Sequence, residues 1–436
     1  MNYPLWDVPL LGGGLIIALI SIPHVFVSHF AVGGGIFLAW TERKGLVENK
    51  PYLVDFVKKY TLFFVLLTLV FGAVSGVGIW FSIGLVHPPA TSTLIHKFVF
   101  GWAMEWVFFL IEISAILVYY YSWDRVDPKT HNIIGWVYAG SAWMSLVIIN
   151  GILTFMLTPG PNPGTSGFWA ALINPTYFPS MLIRTCASLA LAWLYMLVMA
   201  SREKEGAQRD DLIRYISKWL IPAFIGLPLF GAWFVAMVPE LAREMMSGGA
   251  AAVTLFAALS VAISGVIFLY AYFGGYRNPR NLNTQVAILL MVLGFAVTGA
   301  TEWVREAVRK PYVIQNYMYS NAILKDDVPR INVMGILNLA KWTEFGKTAI
   351  TPENQLAVGR DIFTLECANC HTVQGYNGIN LLVKGWDQEY LSNQIRYLDK
   401  LKGFMPPFAG KEEEREALAA WLASLTPAAK MTGGVR

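Results

Sequence analysis

The sequence predicts an all-α chain in which a polytopic transmembrane helical bundle of about eight spans precedes a small soluble α-helical domain. Of its 436 residues, 55% are hydrophobic and 14% charged, with a mean hydropathy of +0.48, outside the usual composition of soluble domains. Apolar runs of the roughly 20 residues needed to cross a bilayer recur from residue 11 to about residue 304 and then stop. A third observation is the alternation of charge between successive loops, which orients the bundle.

The runs cover residues 11–40, 60–86, 94–121, 133–157, 177–200, 219–238, 250–274 and 284–304. A spanning backbone must satisfy its own hydrogen bonds, and these runs are too long for barrel strands, so each is read as a helix. About fourteen Lys and Arg fall in loops 41–59, 122–132, 201–218 and 275–283, against about two in the alternate loops. The basic loops are therefore assigned to the cytoplasm, and both termini with the soluble domain to the periplasmic side. The first span lacks a basic leader and is too long for a cleavable signal, so it is read as retained. The net charge of +4 is small; the lipid bilayer is the expected surrounding, and nucleic acid is not an expected partner. The domains are drawn as 1–304 for the bundle, 305–350 for a polar connector and 351–436 for the soluble domain, whose end is a Gly-rich tail.

Three cysteines give no disulfide framework. Cys186 lies alone in the fifth span and reads as a small buried hydrophobe. The other two stand in Cys367-Ala368-Asn369-Cys370-His371. In this C-x-x-C-H spacing two thiols bond the vinyl groups of one haem, and the following histidine reaches the iron. Gly359-Arg360-Asp361-Ile362-Phe363 precedes the motif on a short helix, and Arg415–Leu425 has the pattern of an amphipathic closing helix. Segment 353–428 resembles the class I cytochrome c fold, with one covalent haem c. Met405, in Gly403-Phe404-Met405-Pro406-Pro407-Phe408, is expected to be the sixth ligand. His/Met ligation leaves no open iron position, so this haem should relay electrons.

Ionisable residues at membrane depth are functional candidates because their burial is costly. The spans hold His24 and His29 in the first, Glu105 and Glu112 in the third, Arg184 in the fifth and Glu302 near the end of the eighth. Glu105 and Glu112 are seven apart and share a helix face, about 10 Å from each other along the axis. His24 matches Glu105 in depth and His29 matches Glu112. The two histidines differ by about 140° around the helix, so one iron cannot take both. Two levels of cofactor ligation and a pair of buried His–Glu hydrogen bonds both fit this pattern. Gly33-Gly34-Gly35 and the Gly72–Gly78 stretch allow close approach of either a helix or a flat macrocycle. His87 and His96 read as surface or interface residues, and His131 as a solvated residue at a helix start.

These residues resemble subunit I of the cytochrome bd quinol oxidases over roughly residues 10–200. The likeness rests on Pro23-His24-Val25-Phe26-Val27, on Glu112 lying eleven residues before Trp123-Asp124-Arg125, on Asn150-Gly151 and on Asn174-Pro175. Weaker similarity returns at Glu302-Trp303 and Arg309-Lys310-Pro311-Tyr312. The resemblance implies that His24 ligates a haem of the high-spin pair and that Glu112 is the second carboxylate of the third helix. Glu105 falls one position from the family's ligating glutamate, and His29 has no counterpart. Where the family has its low-spin haem ligand in H-T-x-A-S, this chain has Arg184-Thr185-Cys186-Ala187-Ser188, so that ligand is gone. Arg184 then either pairs with a haem propionate or snorkels to the interface. Helix 250–274 has no methionine, the quinol loop before it has shrunk to Pro239–Gly249, and the c domain replaces the ninth helix.

The resemblance implies a multi-pass respiratory-chain oxidoreductase of the bacterial inner membrane. It would carry one or two non-covalent haems of b or d type besides haem c, pass electrons between them and use oxygen as a terminal substrate. A quinone:cytochrome c electron-transfer module and a membrane anchor with an electron wire stay open beside it. Expected partners are a second membrane subunit and a periplasmic cytochrome or redox protein, with quinone a further one.

Overall fold

The computed structural model describes residue 4 and residues 6–425, so the Gly-rich tail lies outside the described residues. Among the described residues, eight helices are long and apolar enough to cross a membrane: α1 Gly13–Val47, α2 Pro51–Val86, α3 Val99–Tyr121, α4 Pro128–Phe155, α5 Tyr177–Ser201, α6 Ala207–Met237, α7 Ala251–Arg277 and α8 Thr284–Ala307. Several outrun the apolar stretches that announce them because polar residues continue the helix beyond the hydrophobic window. The third starts at Val99 instead of residue 94, since Pro88–Lys97 forms a separate short helix.

Local chemistry fixes the ends. Asp127 accepts the Lys129 and Thr130 amides at 3.1 and 3.0 Å with Pro128 behind it, and Asn283 accepts the Val286 amide at 2.9 Å. Each cap satisfies amides that a helix start leaves open. Pro23 lies inside α1, Pro222 and Pro228 lie inside α6, and α2 contains a π turn at Leu67–Gly72. Inside a bundle, neighbouring helices can compensate such breaks.

The chain divides into two compact units, residues 21–77 with 97–308, and residues up to 20 with 78–96 and 309 onward. In the first, Phe37, Phe64, Tyr138, Leu194 and Ile213 share one core. The three glycines of α1 each admit a different neighbour. A Cβ on Gly33 would lie 2.0 Å from the Ser188 carbonyl oxygen, one on Gly34 2.0 Å from the Phe64 ring, and one on Gly35 3.0 Å from Ala139. These glycines serve helix packing on α5, α2 and α4. Asn150 and Asn174 lock α4 to α5: Asn150 donates to the Tyr177 carbonyl at 2.9 Å and accepts from Ser180 at 2.7 Å, while Asn174 donates to Thr154 Oγ1 at 2.9 Å.

In the second unit a β-hairpin, β1 Tyr312–Ile314 and β2 Met318–Tyr319, leads into short helices and then α9 Gln355–Glu366, α10 Gln388–Arg396 and α11 Glu412–Leu425. Ile323, Ile331, Ile336 and Leu337 share a core with Val358, Ile362, Leu418 and Trp421. Part of the stretch read as a connector is therefore packed with the haem-motif helices. Glu414, on α11, accepts the amides of Ile336 and Leu337 at 3.0 Å each and of Lys411 at 2.7 Å. Residues 10–12 run against the loop after His371: the Tyr376 amide donates to the Leu10 carbonyl at 2.7 Å, and Gly375, at φ +95°, has no room for a Cβ there.

Glu414→Ala would leave buried amides without an acceptor, a loss of about 3 kcal/mol. The expected result is a clear fall in the thermal midpoint of the haem c Soret circular dichroism, with the membrane helices' far-ultraviolet signal retained; an unchanged midpoint would count against this capping role.

Candidate haem sites

The C-x-x-C-H motif begins where α9 ends. The amides of Cys370 and His371 both donate to the Cys367 carbonyl, at 3.0 and 2.9 Å, winding the five residues into one tight turn. Cys367 and Cys370 form no disulfide, which leaves both sulfurs for one haem. His371 Nδ1 lies 3.2 Å from the Asn377 carbonyl oxygen. A carbonyl only accepts, so Nδ1 carries the proton and Nε2 keeps its lone pair. That is the form in which an imidazole binds iron, and the backbone bond supplies the orienting partner that metal-bound histidines need. The residues fit a covalent haem.

Met405 is half-buried in the loop that its own amide closes on Lys402 O at 2.7 Å, before Pro406 and Pro407. What steadies this loop is not visible in the local pattern of residues. Glu366, just before Cys367, accepts the Ala409 amide at 3.1 Å, tying the loop after Met405 to the root of the motif. Its other oxygen is buried without a partner. Burial pushes this carboxyl well above the usual carboxylate range.

In the membrane unit, His24 Nδ1 is 2.9 Å from Ser75 Oγ, whose own hydrogen points to the Phe71 carbonyl at 2.5 Å. Nδ1 therefore donates, and Nε2 is left with its lone pair. A Cβ at Gly76 would already approach the His24 ring at 3.3 Å, so the glycine face of α2 opens beside it. His29 is buried and shows the same tautomer through Nδ1 and the Val25 carbonyl at 2.7 Å. Both histidines are chemically ready to ligate.

Neither makes a hydrogen bond to a glutamate. Glu105 accepts from Ser145 Oγ at 3.1 Å, and Glu112 is buried with no hydrogen bond among the described residues, within electrostatic reach of Glu105 and Tyr138. His29 lies within reach of Arg184 and Glu302 instead. Arg184 is buried rather than snorkelling: its Nη2 meets Glu302 Oε1 at 3.1 Å, and Glu302 Oε2 also takes Arg305 Nε at 2.8 Å.

The structure corrects the reading of His131. It is 2% exposed, with Nδ1 2.6 Å from Glu42 Oε1 and Nε2 donating to the Tyr119 carbonyl at 2.9 Å. Glu42 Oε2 also accepts from Tyr119 Oη at 2.9 Å and Asn132 Nδ2 at 3.1 Å. With both nitrogens engaged, His131 has no lone pair to offer a metal. His87 is half-buried against a distant segment: its Nε2 donates to the Ser320 carbonyl at 3.0 Å and its Nδ1 is enclosed. Burial lowers its pKa to about 4, so it is neutral. His96 is exposed, as expected.

Residues 15–231 match the family model for cytochrome bd terminal oxidase subunit I, and residues 354–422 that for cytochrome c oxidase, cbb3-type, subunit III. Among solved structures, the bd oxidase from Geobacillus thermodenitrificans is similar, with a TM-score of 0.62 at 15% identity over 71% of this chain and 89% of that chain. No curated protein matches the chain. Fold and motifs together define a membrane haem oxidoreductase of electron transport. Its membrane domain is of the cytochrome bd subunit I type, and it is joined to a cytochrome c domain.

Two outcomes follow for the c domain. Peroxidase staining after denaturing electrophoresis should mark the wild-type chain and vanish in Cys367→Ala/Cys370→Ala; a persistent stain would refute attachment there. A carboxyl whose folded pKa is raised gives stability that is complete below its unfolded value and lost as pH rises through the folded one. Glu366→Gln keeps an acceptor for the Ala409 amide and removes this loss. The variant's melting temperature should therefore gain on the wild type as pH rises above the ordinary carboxylate range; parallel curves across that rise would contradict a carboxyl whose pKa is raised by burial.

Proposed function

We propose that this chain passes electrons between its c haem and haem held in the membrane bundle through His24, with oxygen as the terminal substrate. The observation that carries this reading is the shared state of His371 and His24, each held as the Nδ1–H tautomer with Nε2 making no hydrogen bond. Haem, when bound, supplies reversible one-electron chemistry and, where an axial position is open, a place for oxygen. The protein supplies the rest.

Ser75 orients the His24 ring, and Asn377 does the same for His371. Met405 would hold the c haem together with His371, and the Glu366–Ala409 bond keeps its loop close to the attachment motif. Glu112, buried and without a hydrogen bond, and Glu105, held by Ser145, are the groups proposed to accept and deliver protons at their carboxylate oxygens. The lost low-spin ligand at position 184, the methionine-free α7 and the short Pro239–Gly249 loop favour the c haem as the electron port over a quinol. The basic-loop asymmetry supports placing that port on the periplasmic side. There it would meet a soluble cytochrome or other redox protein, and a second membrane subunit would complete the assembly.

Acid–acetone extraction separates non-covalent haem from haem c. The chain purified with its native partners should yield extractable haem, with less in His24→Ala at unchanged covalent haem, and the reduced protein should show a carbon monoxide difference spectrum. An empty wild-type extract would eliminate the oxidase reading and leave the anchor-and-wire account.

A further inference from the structure

The Gly33 contact with the Ser188 backbone brings α1 and α5 together. As first and fifth spans, the two run in the same direction, so His29 and Arg184, each four residues earlier, lie at one level. Electrostatic reach between them agrees with this. Three groups along this α1–α5 contact carry open atoms. His29 is 4% exposed and holds its lone pair on Nε2, which makes no hydrogen bond. Arg184 is 8% exposed, and its Nε is buried without a partner although Nη2 is paired to Glu302. Ser188 is fully buried, and its hydroxyl has no partner.

Buried donors left open are costly, and a guanidinium held by one carboxylate on one edge can take a second anion on its remaining N–H groups. An imidazole lone pair beside such an anion site asks for a ligand with both a metal centre and carboxylates. Among biological cofactors that is the description of haem with its propionates. Glu302 does not close the site, because it meets Arg184 through Nη2, is shared with Arg305, and leaves Arg184 Nε without a partner.

We propose that His29, Arg184 and Ser188 form a second membrane haem site, distinct from that of His24, in which His29 ligates the iron and Arg184 and Ser188 bind a propionate. This rests on the reading that the bundle holds non-covalent haem at all. It adds that the cation at position 184, where a ligand is absent, serves the haem through its carboxylate side. Arg184 is a positioning and charge-tuning residue here.

The test uses the full chain purified with its partners, with covalent haem c as the internal standard for folded protein. In His29→Ala the ratio of extractable to covalent haem should fall by roughly half, and in His24→Ala/His29→Ala it should fall to background. In Arg184→Gln, spectroelectrochemical titration should show one non-covalent haem shifted to lower potential, since removing a nearby positive charge favours the oxidised iron. Arg184→Lys should restore most of that shift, which a purely structural ion pair would not do. If the wild type yields extractable haem but His29→Ala keeps the full ratio, or Arg184→Gln leaves every potential unchanged, this second site is refuted while the His24 site stands. An empty wild-type extract would remove both.

Discussion

A bilayer interior has no water with which to answer a polar group, so every such group in the eight spans must be met by another part of the chain or by a cofactor. That constraint organises the membrane unit. Where the answer is a side chain, helices are locked together: Glu42 gathers Tyr119, His131 and Asn132 from two other helices, and Asn150 and Asn174 bind α4 to α5. Where no protein partner answers, as at His24 Nε2, Arg184 Nε and the Ser188 hydroxyl, the same rule points to a ligand. One energetic principle thus separates the groups that hold the fold from those that serve it.

Histidine illustrates the division. Each ring has two nitrogens, and the hydrogen bond at one dictates what the other can do. His24, His29 and His371 give their Nδ1 proton to an oxygen and keep Nε2 basic. His131 spends both nitrogens on structure, and His87 places its proton on Nε2. A carbonyl or hydroxyl beside each ring is therefore as informative as the histidine itself.

Much of this was legible in the sequence. Length and hydropathy suffice for the spans because a helix crossing lipid has no cheaper alternative, and C-x-x-C-H carries its own chemistry in five residues. What local pattern could not show was hidden for one reason: these roles depend on partners far away in the chain. His131 looks solvated beside Lys129 and Thr130, yet Glu42, 89 residues earlier, lies 2.6 Å from it. Glu366 and Glu414 look like surface acids on amphipathic helices, and the amides of Ala409, Ile336 and Leu337 that bury them leave no trace in local pattern. Arg184 was legible as a substitution of a ligand but not as the partner of Glu302, 118 positions away.

The packing of Ile323, Ile331, Ile336 and Leu337 into the cytochrome core bears on how such a protein could be assembled in evolution. A haem module bounded at its first motif helix could be appended to any membrane chain as a self-contained cassette. Here the bridging segment supplies part of the module's interior, and Glu414 anchors that segment from the last helix. Swapping the cytochrome c module for another would therefore require replacing the bridge with it, so the joint between the two domains is itself inherited as structure.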